Sequence, residues 1–337
     1  MYDLIYITNV PSFYKINLLN KISETKKIFV IFTGDTASIR NKDFFNGEIL
    51  FDCAYLSSGI KLRKVFEVIK LLRKNKFEEL IIVGWDSIYM WSAAFYPNIR
   101  NKSIVVESSL LESKTTGFKG LIKKLFLSRI SKAYVSGKSQ TDLVVALGFK
   151  GKIIKTKGVG IFNIIPQPKY KPAKLVKNFI YVGRLSPEKN LQHLIETFNL
   201  LPYLTLNIIG YGPQEQYLKS MAKGNIIFHG AVPNHELYKY YQQNDVFILP
   251  SISEPWGLVV EEAFNNGLPV IVSDRVGCAA EIVNASNGII FKLAEPDGLQ
   301  NALLKMTDIE FYNSLRYNIS QLDFNRIAQE QVNCYLQ

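Results

Sequence analysis

Val246-Phe-Ile-Leu249-Pro250-Ser251-Ile-Ser-Glu254-Pro-Trp-Gly257-Leu-Val-Val-Glu261-Glu262-Ala-Phe264 reads as a strand, a polar loop and the opening of a helix. The apolar run is short and ends at Pro250, and from Gly257 the spacing predicts a helix whose first amides have no carbonyl a turn behind them. Such amides suit a phosphate, and a glycine there lets an anion come close to the backbone. Glu254 precedes this predicted helix and Glu262 lies one to two turns inside it. Two carboxylates at different depths beside a phosphate seat fit the hydroxyls and the diphosphate of a sugar nucleotide. Taken singly, either carboxylate is better explained as a first-turn acid stabilising the helix dipole, and the functional reading gains from a second loop that converges on the same place.

A second loop has the same logic. Tyr181-Val-Gly183-Arg184-Leu-Ser-Pro-Glu-Lys189-Asn190 ends a strand in glycine and places two cations before the next helix. Arg184 and Lys189 can clamp a diphosphate and stabilise the charge that builds on it as a sugar-phosphate bond breaks. No Asp-x-Asp and no cluster of histidines marks a metal-chelated diphosphate, so neither metal nor cofactor is expected.

Outward from these loops the chain repeats one rhythm twice. Short β-branched runs at Leu4–Ile7, Ile28–Phe32, Leu80–Val83, Ile104–Glu107, Ala133–Val135 and Ile153–Lys155 alternate with helical stretches. The series restarts at Phe179–Val182 and continues through Leu204–Ile209, Ile226–Phe228, Val246–Leu249, Val270–Val272 and Ile289–Phe291. This predicts two doubly wound, Rossmann-like α/β domains facing across a cleft, with ligands beyond the carboxyl ends of the strands. The expected boundaries are 1–165, a Pro- and Lys-containing linker at 166–177, a second domain at 178–320, and a C-terminal helix at 321–337 that crosses back to the first domain.

At 337 residues, with 47% hydrophobic and 20% charged side chains, the chain is an ordinary two-domain globular protein by composition. No apolar run reaches the ~18 residues of a membrane span, and Met1–Val10 reads as a strand in place of a signal peptide. Three scattered cysteines, Cys53, Cys278 and Cys334, form no framework. A cytoplasmic chain is expected.

Charge is unevenly placed. Residues 1–165 carry 26 Lys and Arg against 13 Asp and Glu, a net of +13, whereas residues 166–337 carry 14 against 16, a net of −2. Two helical stretches, Lys61–Lys76 and Lys114–Lys132, hold most of the excess. In the second, Phe118, Leu121, Ile122, Leu125, Phe126 and Ile130 line one side, as on a helix that turns its apolar side to a core and its lysines to solvent. Two such helices in one basic domain point to an anionic partner, either a bilayer surface or a nucleic-acid backbone.

The segments Gly183–Asn190, Ile208-Ile-Gly210-Tyr-Gly212-Pro213, Glu254–Ala263, Gly267-Leu-Pro269-Val270 and Asn287-Gly288 resemble the retaining glycosyltransferases of family 4, which have the GT-B fold. The resemblance spans residues 178–300 in order. Over 1–165 it is looser, resting on Asn9-Val10-Pro11-Ser-Phe-Tyr14-Lys and Trp85-Asp86-Ser87, which look like bacterial polysaccharide and lipopolysaccharide transferases.

The resemblance implies a metal-independent enzyme that passes a sugar from a nucleotide-diphosphate donor, UDP in preference to GDP, to a glycan or lipid-linked acceptor. It further implies that Arg184 and Lys189 hold the diphosphate, Glu262 the ribose, Glu254 the donor sugar, and the amides of Gly257, Leu258 and Val259 the distal phosphate. Gly183 and Val10 would line the donor from the loops after their strands, with the base near His229-Gly230-Ala231-Val232. Many relatives retain stereochemistry by a front-face route, in which the leaving phosphate takes the acceptor proton.

Two places depart from the family pattern. Asn9-Val10-Pro11 stands where relatives often have a glycine pair, and Glu107-Ser108 stands where they often have a histidine. Glu107 either contacts acceptor or donor sugar or caps the segment after it. Glu254, Arg184, Lys189 and Glu107 are the candidate catalytic set. The expected partners are a nucleotide sugar, a glycan or lipid-linked acceptor, and an anionic membrane on whose inner face the basic domain rests, with no nucleic acid. A nucleic-acid-binding protein, and a sugar-nucleotide epimerase or phosphorylase on the same fold, remain the alternatives.

Overall fold

The computed structural model describes residues 1–34, 47–57, 59–158, 160–161 and 164–337. It divides into two units, Met1–Phe162 with Ile327–Gln337, and Asn163–Arg326.

The first unit is built on a seven-stranded parallel sheet in the order β3-β2-β1-β4-β5-β6-β7. Its strands are β1 (Tyr2–Thr8), β2 (Ile28–Phe32), β3 (Asp52–Tyr55), β4 (Phe77–Val83), β5 (Asn101–Val106), β6 (Lys132–Val135) and β7 (Lys152–Lys155). β1 lies inside the sheet, pairing Leu4 with Ile28 of β2 on one side and with Glu79 of β4 on the other. Its residues Leu4 to Ile7 are all buried, because crossover helices cover both faces of a parallel sheet. Alternate side chains part to opposite faces. Ile5, Ile7, Leu80, Ile82 and Ile104 pack under α2 (Lys61–Lys74), α3 (Ile88–Ala94), α4 (Gly117–Leu127) and α5 (Lys138–Ala146). Leu4, Tyr6, Val30, Ile81 and Val105 pack under α1 (Phe13–Ser23) and the last helix, α13 (Phe324–Leu336).

β3 escaped the sequence reading because its residues are partly exposed and form no apolar run. The C-terminal helix expected at 321–337 is α13, and a separate helix, α12 (Ile309–Ile319), precedes it. The last eleven residues cluster with the first unit, and within it Tyr335 stacks on Tyr134 at 4.5 Å.

The basic stretch Lys114–Lys132 is helical only over α4, and its apolar side is not the side that packs. Gly120, Phe126 and Leu127 face the core, while Phe118, Leu121, Ile122 and Leu125 are exposed. Lys132 lies in β6 and pairs with the largely buried Glu79 at 3.1 Å. The core-facing expectation for Phe118, Leu121, Ile122 and Leu125 is therefore overturned. The sequence offers two apolar arcs on one helix, and the aromatic pocket of Trp85 and Trp91 takes Phe126.

The second unit is a six-stranded parallel sheet in the order β10-β9-β8-β11-β12-β13. The strands are β8 (Asn178–Val182), β9 (Thr205–Ile209), β10 (Ile226–Gly230), β11 (Val246–Leu249), β12 (Val270–Ser273) and β13 (Gly288–Phe291). Both sheets belong to the predicted α/β class. The segment read as a linker, 166–177, has no regular structure, yet it is fastened to this unit. Gln167 donates to the Phe264 carbonyl, and Asn313 bonds Ala173 through both its amide groups.

Candidate nucleotide-sugar site

In the second unit the predicted site residues lie where β8, β10 and β11 end. The loop after β8 is laced to its neighbour by backbone bonds from Gly183 to the Ile209 carbonyl and from Leu185 to the Tyr211 carbonyl. This approach is so close that a Cβ at Gly210, whose φ is +136°, would sit 1.8 Å from the Gly183 oxygen. Only glycine fits there.

The loop then turns through Pro187–Lys189, and left-handed Asn190 donates to the Pro250 carbonyl. A backbone bond from Ile252 to the Glu188 carbonyl ties it to the loop after β11. These ties bring Lys189 onto Glu254, and their side chains form a mostly buried ion pair. The two predicted cations point differently. Arg184 is half-exposed and pairs with Glu188 of its own loop at 3.1 Å, with Ser186 also donating to Glu188.

Glu254 is held from behind. Its amide bonds the Arg275 carbonyl, the Gly277 amide bonds its carbonyl, and the Cys278 amide bonds that of Trp256. After Trp256 the chain makes a left-handed turn at Gly257, φ +101°, and α9 (Leu258–Asn265) begins. The helix start is where the spacing placed it. Gly257 supplies no capping side chain, so the first-turn amides of partly exposed Leu258 and Val259 form the anion-favouring end of the helix. Glu262 lies on this helix and accepts a hydrogen bond from Tyr241 at 3.1 Å, and burial raises its carboxyl pKa against the opposing effect of that bond.

Glu261 was not singled out from the sequence. It is buried and accepts a 2.7 Å bond from the Trp256 indole. Burial pushes its pKa up to about 7, with the Trp256 bond opposing and Glu262 adding to the rise. The bond ties α9 to the loop carrying Glu254, an arrangement no periodicity reveals. At the end of β10, Ala231 is exposed and Val232 buried. His229 meets Asn207 at 2.8 Å, and burial lowers its pKa.

The first unit holds Val10 and Glu107. The Val10 side chain is buried and its amide is bonded to the Asn9 side chain. Glu107 follows β5 with its side chain 47% exposed, and it pairs with Lys15 at 2.8 Å. Lys15, 3% exposed, also donates to Thr8 and Asn9 side-chain oxygens at 3.2 Å each. Side-chain oxygens of Glu107, Thr8 and Asn9 thus face the ammonium, which is how a desolvated charge is retained. Lys15 is the functional candidate the sequence reading missed. It closes the Asn9–Lys15 stretch quoted for the resemblance, but nothing in that spacing shows that its side chain turns back to Thr8 and across to Glu107.

Among the described residues no three His, Cys, Asp or Glu gather as a metal site, and no helix is long and apolar enough to cross a membrane.

Residues 167–321 match the family model described as Glycosyl transferases group 1. Over 128 residues the chain is 34% identical to the sulfoquinovosyl transferase SQD2 of Arabidopsis thaliana, a match covering 38% of this chain and 25% of that protein. A longer match, 27% identical over 305 residues, is to the O-antigen biosynthesis glycosyltransferase WbnH of Escherichia coli, covering 82% and 81% of the two chains. Among solved structures, the lipopolysaccharide outer core galactosyltransferase WaaB in its apo form superposes with a TM-score of 0.74 at 17% identity, over 99% of this chain and 98% of that one. At that identity the likeness speaks for the fold, the two Rossmann-like units of GT-B enzymes.

Proposed function

From the premise that the chain carries a group 1 glycosyltransferase domain of the type found in lipopolysaccharide and O-antigen synthesis, we propose a retaining, metal-independent sugar transferase. It moves a sugar from a nucleotide-diphosphate donor, a UDP-sugar, to a membrane-attached glycan or lipid-linked acceptor. The single observation that carries this reading is the Lys189–Glu254 pair, set beside the open start of α9 and held by backbone bonds on both flanks.

The roles follow from the chemistry of these groups. Gly257, Leu258 and Val259 present backbone to the distal phosphate, and Arg184 and Lys189 supply positive charge to it. Glu254 and Glu262 accept hydrogen bonds from sugar and ribose hydroxyls. As the bond from the anomeric carbon to the phosphate oxygen breaks, the acceptor oxygen bonds to that carbon on the same face. The acceptor's proton passes to the departing phosphate oxygen, leaving a glycoside and a nucleoside diphosphate. Preorganised cations stabilise the leaving charge, so this route calls for no metal and no protein base.

In the same reading, Glu107 in the first unit accepts from a sugar hydroxyl, positioned by Lys15. The basic first unit rests on the anionic inner face of the cytoplasmic membrane, where the acceptor is anchored. The net of +13 over residues 1–165 supports that placement.

Calorimetric titration with UDP and GDP in the presence of EDTA tests the donor side. Micromolar binding of UDP is the expected result. A folded sample that binds neither diphosphate would remove the basis for the site.

A further inference from the structure

α2 and α4 pack on the same face of the first sheet, with Val68, Leu72, Phe126 and Leu127 in one core. Their opposite sides therefore point away from that face together. On α4 that outer side carries Phe118, Leu121, Ile122 and Leu125, spaced as one helical stripe, with Phe118 77% and Leu121 65% exposed. On α2 it carries Leu62 and Phe66, one turn apart, with Phe66 71% exposed. Scattered apolar side chains on a surface are ordinary, but two apolar stripes on helices that cover the same sheet face are not.

Both stripes are bordered by cations. Lys119 and Lys124 flank the α4 stripe, and Lys61, Arg63, Lys70 and Arg73 lie along α2. An apolar crest with basic shoulders matches one kind of partner, a lipid surface whose headgroups are anionic and whose interior accepts Phe and Leu. A second copy of the chain would set these cations against their own kind. A nucleic-acid backbone would meet the lysines and leave the apolar crest with nothing to bury against.

We infer that the outer stripes of α2 and α4 form a two-helix insertion surface for an anionic bilayer, with Phe118, Leu121 and Leu125 entering the acyl boundary. This deepens the membrane placement proposed above and rests on it. It adds that attachment is apolar as well as electrostatic, and it names the side chains that enter. The Phe and Leu side chains supply a component of binding that salt does not screen, and the lysines supply the selectivity for anionic lipid.

The test is flotation of the full chain with vesicles of phosphatidylcholine, with and without phosphatidylglycerol, at low and high salt. Binding is expected only with phosphatidylglycerol, and part of it survives high salt. Combined Phe118→Ser, Leu121→Ser and Leu125→Ser changes fall on exposed positions, so folding is kept, and they should weaken binding by about tenfold or more and remove the salt-resistant part. In a separate Phe118→Trp variant, the emission that vesicles add should be blue-shifted and quenched by brominated acyl chains.

UDP binding, measured on the same proteins, keeps two failures apart. Unchanged vesicle binding by the serine variant, or no quenching in the Phe118→Trp variant, overturns the insertion surface even where UDP binds normally. Failure of UDP binding with vesicle binding intact strikes the transferase reading instead. Concentration-dependent dimerisation abolished by the serine changes, or tight RNA binding at physiological salt in place of vesicle binding, would also sink the inference.

Discussion

The two units reach their chemistry by different means. In the second, the candidate groups come from loops that follow successive strands, and short-range backbone bonds hold them: Gly183 to Ile209, Ile252 to Glu188, Glu254 to Arg275. The cation and the carboxylate that meet, Lys189 and Glu254, both sit in contiguous motifs. In the first unit the corresponding place is organised by one buried side chain, Lys15, which reaches from α1 to Thr8, Asn9 and Glu107. A site fixed by local backbone leaves a trace in the sequence, whereas a site fixed by a single long side chain leaves almost none. The contrast extends to charge, with the basic excess confined to residues 1–165 while the second unit holds its candidate carboxylates buried or paired.

The sharpest way to break the comparison is in the second unit. Glu254→Ala should lower turnover by ~10³-fold while UDP remains partly bound, and Lys189→Ala should weaken both turnover and binding. Steady-state rates beside calorimetry measure this split, and turnover that survives Glu254→Ala would show that the dense motif is scaffolding.

Next in size is a stability effect at Glu261. Its pKa is about 7 in the folded protein against an ordinary 4.5. Between those values the folded state holds a proton that the unfolded chain has released. Stability should therefore fall as pH rises from 4.5 to 7 and change no further through this group above that. The loss integrates to about 3 kcal/mol at most. Glu261→Gln should flatten this slope, as read from melting temperature against pH. An unaltered slope would mean that the Trp256 tie does not keep the carboxyl desolvated.

Smallest is the effect expected in the first unit. Lys15→Met keeps the buried stem and removes the charge, so Glu107 loses its ion pair. Transfer should drop about tenfold with UDP affinity unchanged. A variant that lost UDP binding instead would show that Lys15 serves the nucleotide, and the division of labour between units would need redrawing.

The sequence pattern made most of this fold legible. Twelve of the thirteen described strands coincide with apolar runs, and only edge strand β3, Asp-Cys-Ala-Tyr, lacks one. The start of α9 was legible too, because glycine after a polar loop has a local backbone reason. Glu261 was not, because its burial depends on Trp256 folding back over it. Nor was the orientation of α4. Its period shows an apolar arc at Phe118, Leu121, Ile122 and Leu125, but only the packing of Phe126 against Trp85 and Trp91 decides that this arc faces outward. Periodicity gives the faces of a helix, and the sheet beneath chooses among them.

Tyr335, stacked on Tyr134, belongs to a segment of the first unit that the ribosome makes only after residues 163–326. During synthesis the face of the first sheet that α13 covers waits, incomplete, through the whole emergence of the second unit. The first unit therefore gains its last covering helix only after the second unit has been made. A tag or lesion placed in its final helix acts on the half of the molecule that was translated first.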